Sequence, residues 1–260
     1  MKILFIGDIV GKIGRRIVKD KIQYYVEKYD IDFVIANGEN ATHGKGLNYN
    51  HYRELIDSGI DAITLGNHYD SKSEIRHYID RVDRLIRPCN LIKPFPGEGS
   101  IIFDIDGITV RVVNILGSAF INEEVNNPYY AMLDILSEEE ATITIVDYHG
   151  EATAEKMGFA RAFDGKVSAV LGTHTHVQTS DARILPNGTA FISDVGMCGE
   201  YDSVLGFETE SVVNKTVYGH ESKFALHDQG KGLFSAVVID IDDYSGLAKD
   251  IFSIYYVEED

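Results

Sequence analysis

The stretch ILFIGD, residues 3–8, sets an apolar run of strand length directly against a carboxylate. The segment after it places Val18, Ile22, Tyr25, Val26 and Tyr29 at i, i+4, i+7, i+8 and i+11, the spacing of one helix face. A short continuous apolar run feeding an amphipathic helix reads as a strand buried on both faces. The same grammar recurs along the chain. DFVIAN (32–37) is a second strand, and AITLG (62–66) a third after a helix near 50–58. IIFDIDGITVRVVNIL (101–116) reads as two strands turning at Asp106-Gly107. ATITIVDYH (141–149), KVSAVLG (166–172) and TAFISDVG (189–196) continue the series, and GLFSAVVIDID with IFSIYYV closes it. Strands alternating with helices imply a layered α/β protein. The spacer LIRPCNLIKPFPGEG (85–99) holds three of the five prolines and reads as a loop or edge crossover. No repeat, low-complexity tract or break in composition divides the chain, so residues 1–260 are expected to form a single domain.

Composition narrows the partners. With 44% hydrophobic and 25% charged residues the chain is well cored, and its formal net charge of −17 disfavours long nucleic acid and anionic membrane. A phosphate-bearing substrate therefore needs a strong local positive field. Cys89 and Cys198 lie far apart in no paired motif, which argues for a reducing compartment and against a thiolate-held metal. MKILFIGD reaches an acid too early for a signal peptide, and no apolar run approaches membrane-spanning length. A cytoplasmic protein is expected.

In layered α/β proteins ligands bind beyond the carboxyl ends of strands. There this sequence places Asp8, then Asn37-Gly38-Glu39-Asn40, then Gly66-Asn67-His68, then His149, then His174 with His176. Each alone has a bland reading as a turn, a helix cap or a half-buried imidazole. Nine histidines in 260 residues give about 0.3 such i, i+2 pairs by chance, so the His174/His176 pair decides nothing by itself. The shared position of all five groups is what carries weight. In extended chain His174 and His176 would point to one side about 6.6 Å apart, able to reach neighbouring cations. Two cations roughly 3.5–4 Å apart form the kind of centre that hydrolyses phosphate esters.

Asp8, Glu39, Asn40, Asn67, His149, His174 and His176 supply seven ligands, and a bridging Glu39 with a bridging hydroxide gives about five bonds per ion. Carboxylate, amide and imidazole donors suit iron and manganese, admit zinc, and disfavour calcium or copper(I). Two carboxylates and a hydroxide, about −3 in all, leave such a pair of ions net positive.

Together GDIVG (7–11), NGEN (37–40), GNH (66–68), VDYHGEATAEK (146–156), GTHTHVQT (172–179) and ISDVGMCG (192–199) resemble the calcineurin-like metallophosphoesterases, and within them the YmdB-like phosphodiesterase family. The resemblance spans nearly the whole chain. It implies a four-layer sandwich of two central mixed β-sheets flanked by helices. It also implies hydrolysis of cyclic nucleotide monophosphates, 2′,3′ or 3′,5′, by a hydroxide bridging two metal ions. Two departures from the wider superfamily stand out. The usual Asp-x-His is here Asp8-Ile9-Val10, and the usual bridging aspartate is Glu39, with Asn40 beside it. Asn40 is inferred to take the missing imidazole's place. One metal would then hold Asp8, Glu39, Asn40 and His176, the other Glu39, Asn67, His149 and His174; this split comes from the resemblance.

His68 is not a ligand in the family pattern. Its implied role is to bond the phosphate and protonate the departing oxygen; the alternative is a histidine that only orients Asn67 or Asp8. Glu151 and Asp194 lie near the motifs and are expected to support the ligands. Competing functions are a phosphomonoesterase or RNA-directed phosphodiesterase on the same centre, and a metal-dependent regulatory or ligand-sensing protein with little turnover. Homo-oligomerisation fits the family as well. The remaining chemistry is disfavoured: GENATHGKG (38–46) lacks P-loop spacing, GDIVGKIG (7–14) lacks dinucleotide-fold spacing, and neither G-x-S-x-G nor H-E-x-x-H occurs. Arg15 and Arg16 read as a solvated helix face, and His43, His51, His77, His220 and His227 as surface or core histidines.

Overall fold

A computed structural model of the protein describes residues 1–259. The first half of the chain runs β1 (Lys2–Ile6), β2 (Asp8–Ile9), α1 (Gly11–Tyr29), β3 (Phe33–Asn37), α2 (Tyr49–Asp57), β4 (Ala62–Thr64), α3 (Ile75–Tyr78) and β5 (Leu85–Ile86). There follow β6 (Ser100–Ile105), β7 (Ile108–Leu116), α4 (Pro128–Glu138), β8 (Ile143–His149), α5 (Thr153–Ala162) and β9 (Ala169–Thr173). The chain ends with β10 (Arg183–Ile184), β11 (Ala190–Ile192), β12 (Met197–Glu200), α6 (Thr209–Thr216), β13 (Gly232–Ile241) and β14 (Ala248–Val257). No helix of the described residues is long and apolar enough to cross a membrane.

The strands form two mixed sheets. In one, β14, β13, β1, β3, β4 and β5 lie side by side, β1 through β5 parallel and β13 antiparallel to both its neighbours. The other has the order β10-β11-β9-β8-β7-β6. Leu4 and Ile6 of β1 face a core shared with Ile17, Val18 and Ile22 of α1 and Leu55 of α2. Ile3 and Phe5 face the second sheet, against Val110, Ile143, Ile145 and Leu171. On that sheet's far side Val146 and Tyr148 pack on Met132 of α4 and Phe159 of α5. Helices, sheet, sheet and helices thus make the four layers that the resemblance implied. Burial on both faces is why the strands read as unbroken apolar runs rather than alternating ones.

The first sheet parts where the site begins. β13 pairs with β1 up to Ile6, and beyond it β12 takes the same edge (Gly199↔Leu233), while β12 also pairs with β2 (Met197↔Asp8). Gly7 sits at the fork. Its N–H bonds Ser235 O, the Asp8 N–H bonds Gly196 O at 3.0 Å, and a Cβ on residue 7 would stand 2.0 Å from that same oxygen. Only glycine lets the chain turn off here and deliver Asp8.

Three expectations need correction. Residues 189–196 are not one strand: β11 stops at Ile192 because Asp194 turns its carboxylate to the Gly196 N–H, 2.9 Å away. The proline-rich spacer is a loop only after Ile86, since Leu85–Ile86 pairs with β4 as the sheet's edge. Arg15 is not solvated. It is buried, with its guanidinium on Ala41 O and, at 2.8 Å, on Glu54, while Arg16 pairs with Glu258.

Candidate metal centre

Every residue singled out at a strand end stands at the same edge of the fold. Asp8 opens β2, Glu39 and Asn40 lie in the turn after β3, Asn67 and His68 in the turn after β4; His149 ends β8, and His174 and His176 follow β9. Their atoms converge. His149 Nε2 lies 3.1 Å from Glu39 Oε1, 3.0 Å from Asn67 Oδ1 and 3.1 Å from His174 Nδ1. His176 Nε2 lies 3.1 Å from Asn40 Nδ2 and 3.8 Å from Asp8 Oδ1, and Asn40 Nδ2 lies 3.2 Å from Glu39 Oε1. Glu39 therefore joins two groups of donors. The ligand atoms of Glu39, His149 and His174 all lie within 4.8 Å of one another, close enough to share a cation.

The histidine pair reaches the cluster by a route that sequence spacing does not disclose. β9 ends at Thr173, and His174 and His176 adopt φ of 105° and 66°, so this is a turn and not extended chain. Asp194 imposes the turn. Its Oδ2 takes the Thr175 N–H at 3.0 Å and the Lys156 ammonium at 2.9 Å, while Lys156 also donates to Thr173 O and Asp8 Oδ2 takes the His174 N–H at 3.1 Å.

Each imidazole has its outer nitrogen tied to an acceptor. His176 Nδ1 donates to Leu205 O at 3.0 Å, and His174 Nε2 to the Glu151 carboxylate at 3.1 Å. His149 Nδ1 lies 2.8 Å from Thr173 Oγ1, whose own proton goes to Asp147 Oδ1 at 2.6 Å, so here too the ring nitrogen is the donor. In the neutral rings the inner nitrogens are lone pairs facing the cluster, the arrangement by which outer partners orient metal-binding histidines. Around His149 Nε2, one proton can serve only one of Glu39, Asn67 and His174 at a time; a divalent cation serves them all. Atoms each about 2.1 Å from a shared ion sit roughly 3.0–3.4 Å from one another, which is the spacing seen. Asp8 Oδ1, fully buried, accepts no hydrogen bond among the described residues, again what a cation would satisfy. Asn40 presents its amide nitrogen to the cluster, so ligation requires its amide to turn over and offer the oxygen.

Glu151 and Asp194 thus support the histidines as expected. The sequence reading missed Asp147, Thr173, Thr64 and Lys156. Asp147 Oδ2 collects Thr64 Oγ1 at 2.5 Å and Asn37 Nδ2 at 2.9 Å, which fixes the buried acceptor behind His149. Its signal was present, since a carboxylate two residues before His149 on the same strand shares its face.

The local charges follow from this packing. Burial raises Asp8 to about 6, against the pull of His176 and His149. Burial, then the neighbouring His149, hold His174 down at about 3, so it is neutral. For His149 burial works downward, but Glu39, Asp8 and Asp147 override it and lift it to about 9. A cation taking up His149 Nε2 displaces that proton. Between about pH 6 and about pH 9 metal affinity should accordingly rise about tenfold per pH unit, and more steeply below 6 where Asp8 is protonated too. Manganese titration across this range tests it; an affinity flat in pH would contradict the site.

Four layers with carboxylate, amide and imidazole donors gathered at the strand ends define the calcineurin-like metallophosphoesterase class. Within it the chain belongs to the YmdB-like protein family, whose model matches residues 4–254. It is 44% identical over 253 residues, covering 96% of this chain and 95% of the relative, to the 2′,3′-cyclic-nucleotide 2′-phosphodiesterase of Bacillus subtilis (strain 168). A hypothetical protein from Thermus thermophilus matches at TM-score 0.93 and 37% identity, with 100% of both chains covered. A phosphatase from Mycoplasma pneumoniae matches at TM-score 0.94 and 35% identity, over 100% of this chain and 94% of that one.

Proposed function

We propose that the protein is a dinuclear-metal phosphodiesterase acting on cyclic nucleotide monophosphates, the 2′,3′-cyclic forms foremost. The observation that carries this reading is the set of three imidazoles, each with its outer nitrogen bonded and its inner lone pair turned to a cluster joined by Glu39. Asp8, Glu39, Asn40 and His176 would hold one ion, and Glu39, Asn67, His149 and His174 the other. Iron and manganese fit these donors best. When bound, the pair supplies Lewis acidity and an activated water for in-line attack on phosphorus. The activity of the Bacillus subtilis relative supports the choice of substrate.

The chain's own contribution is placement of charge and of one proton. Lys45 is the one lysine or arginine among the residues lining the cavity over the cluster, a local cation in an acidic protein. His68 borders the same cavity. Its Nδ1 faces Asn67 Nδ2 at 3.4 Å, so the neutral ring carries its proton on Nε2. Burial keeps His68 below the usual histidine range despite Glu39, and the negative charge of a bound diester is what would raise it. In this reading His68 Nε2–H bonds the substrate and passes its proton to the departing oxygen. A small diester in a cytoplasmic setting suits the charge balance better than long RNA.

The test compares bis-p-nitrophenyl phosphate with p-nitrophenyl phosphate, beside 2′,3′- and 3′,5′-cyclic nucleotides, on protein purified without added metal. Faster diester turnover with iron or manganese bound is expected. Faster monoester turnover would replace this reading with a phosphomonoesterase, and cyclic nucleotide retained unchanged over hours would favour a sensor.

A further inference from the structure

We infer that the apolar residues lining the cavity beside the donor cluster form a nucleobase site, with Phe207 and Phe224 as its specificity-determining residues; the inference rests on reading the cluster as a phosphodiester-hydrolysing centre. The cluster forms the floor of a cavity of about 580 Å³, the size of a small-molecule site and far more than a phosphate group fills. Its lining is divided. Glu39, Asn40, His68, His174 and His176 are its polar cluster residues, whereas Val204, Leu205, Phe207, Val212 and Phe224 are apolar.

The apolar side chains can hold no ion and move no proton, yet they leave large apolar surface uncovered. Phe224 is 42% exposed and Leu205 43%. The Phe207 and Phe224 rings lie 5.3 Å apart, tilted by 44°, and the Lys215 ammonium stands 4.7 Å over Phe224. An exposed Phe224 and a half-buried Phe207 beside a buried polar cluster match a substrate with an anionic end and a flat aromatic end. A cyclic nucleotide has that build: the phosphodiester is fused to ribose, and the base projects from the opposite side. The apolar residues offer no side-chain hydrogen bonds to base edges, so recognition would come by stacking and contact area, favouring purines over pyrimidines.

This apolar lining is also fixed relative to the cluster. Leu205 O takes the His176 Nδ1–H at 3.0 Å, tying the apolar segment to a ligand of the proposed centre. Val204 and Phe207 exchange backbone hydrogen bonds of 2.9 and 3.0 Å, and Phe207 pairs with Leu226. The position of Phe207 relative to His176 is therefore built into the backbone.

The experiment measures KM and kcat for adenosine 2′,3′-cyclic phosphate and for base-free 1-O-methylribose 2′,3′-cyclic phosphate, with wild type, Phe207→Leu and Phe224→Leu. Leucine stays apolar, fills most of the ring's space and removes the π face. For wild type, the base should lower KM by about tenfold or more. The variants should raise KM for the nucleotide alone, leaving kcat, metal content and the base-free substrate unchanged. Equal wild-type KM for the two compounds, or variants that move both KM values together, would overturn the base site while leaving the phosphodiesterase reading intact. Turnover of neither compound by metal-loaded protein would remove the reading beneath it as well.

Discussion

Gly66→Ala should yield a folded protein that has lost its metal and at least about a hundredfold in kcat/KM, the scale on which small misplacements of reacting groups are felt. A Cβ on residue 66 would stand 2.3 Å from Glu39 Oε2 and 2.5 Å from His149 Cδ2 and Nε2. Both contacts are far inside van der Waals range, and neither partner has room to retreat. Glu39 Oε2 is held by the His68 N–H at 2.8 Å, and His149 is held through Thr173 to buried Asp147. One methyl group thus displaces together the carboxylate that joins the two donor groups and the imidazole at the centre of one of them. The clashing atoms belong to Glu39 and His149 at the strand ends and not to the apolar core, so the thermal transition should persist while bound metal, measured by elemental analysis, falls. Wild-type metal content in Gly66→Ala would show that Glu39 and His149 do not share an ion.

This glycine marks the boundary of what the sequence made legible. The apolar runs located the strands because two-sided burial writes itself as unbroken hydrophobicity, and their polar successors located Asp8, Glu39, Asn67, His68 and His149 because strand ends share one edge of a layered fold. Conformation beyond the strand ends was not legible. His174 and His176 read as extended, yet they turn through left-handed φ because Asp194 and Lys156, distant in sequence, bind the intervening backbone. Asp147 and Thr173 also escaped notice, since a polar residue within an apolar strand has no visible partner until the neighbouring strand is placed beside it. Arg15 was misread for the same reason: its carboxylate, Glu54, arrives from another helix. Local pattern fixes elements and their ends; tertiary partners fix protonation, tautomer and reach.

His68→Ala should separate the proposed proton transfer from the proposed metal site. The hydrogen bond from residue 68 to Glu39 Oε2 comes from the backbone N–H, so alanine preserves it and removes only the imidazole. Metal content should stay at the wild-type level while kcat falls by about 10²- to 10⁴-fold, the usual worth of a positioned general acid. The leaving group separates this role from mere positioning. A ribose alkoxide needs a proton to depart, whereas p-nitrophenolate is stable without one. His68→Ala should therefore be far more damaging with 2′,3′-cyclic nucleotides than with bis-p-nitrophenyl phosphate. Equal losses on both substrates would make His68 a positioning residue that orients Asn67, and loss of metal would make it a structural part of the centre; either result would take the departing oxygen's proton away from this imidazole.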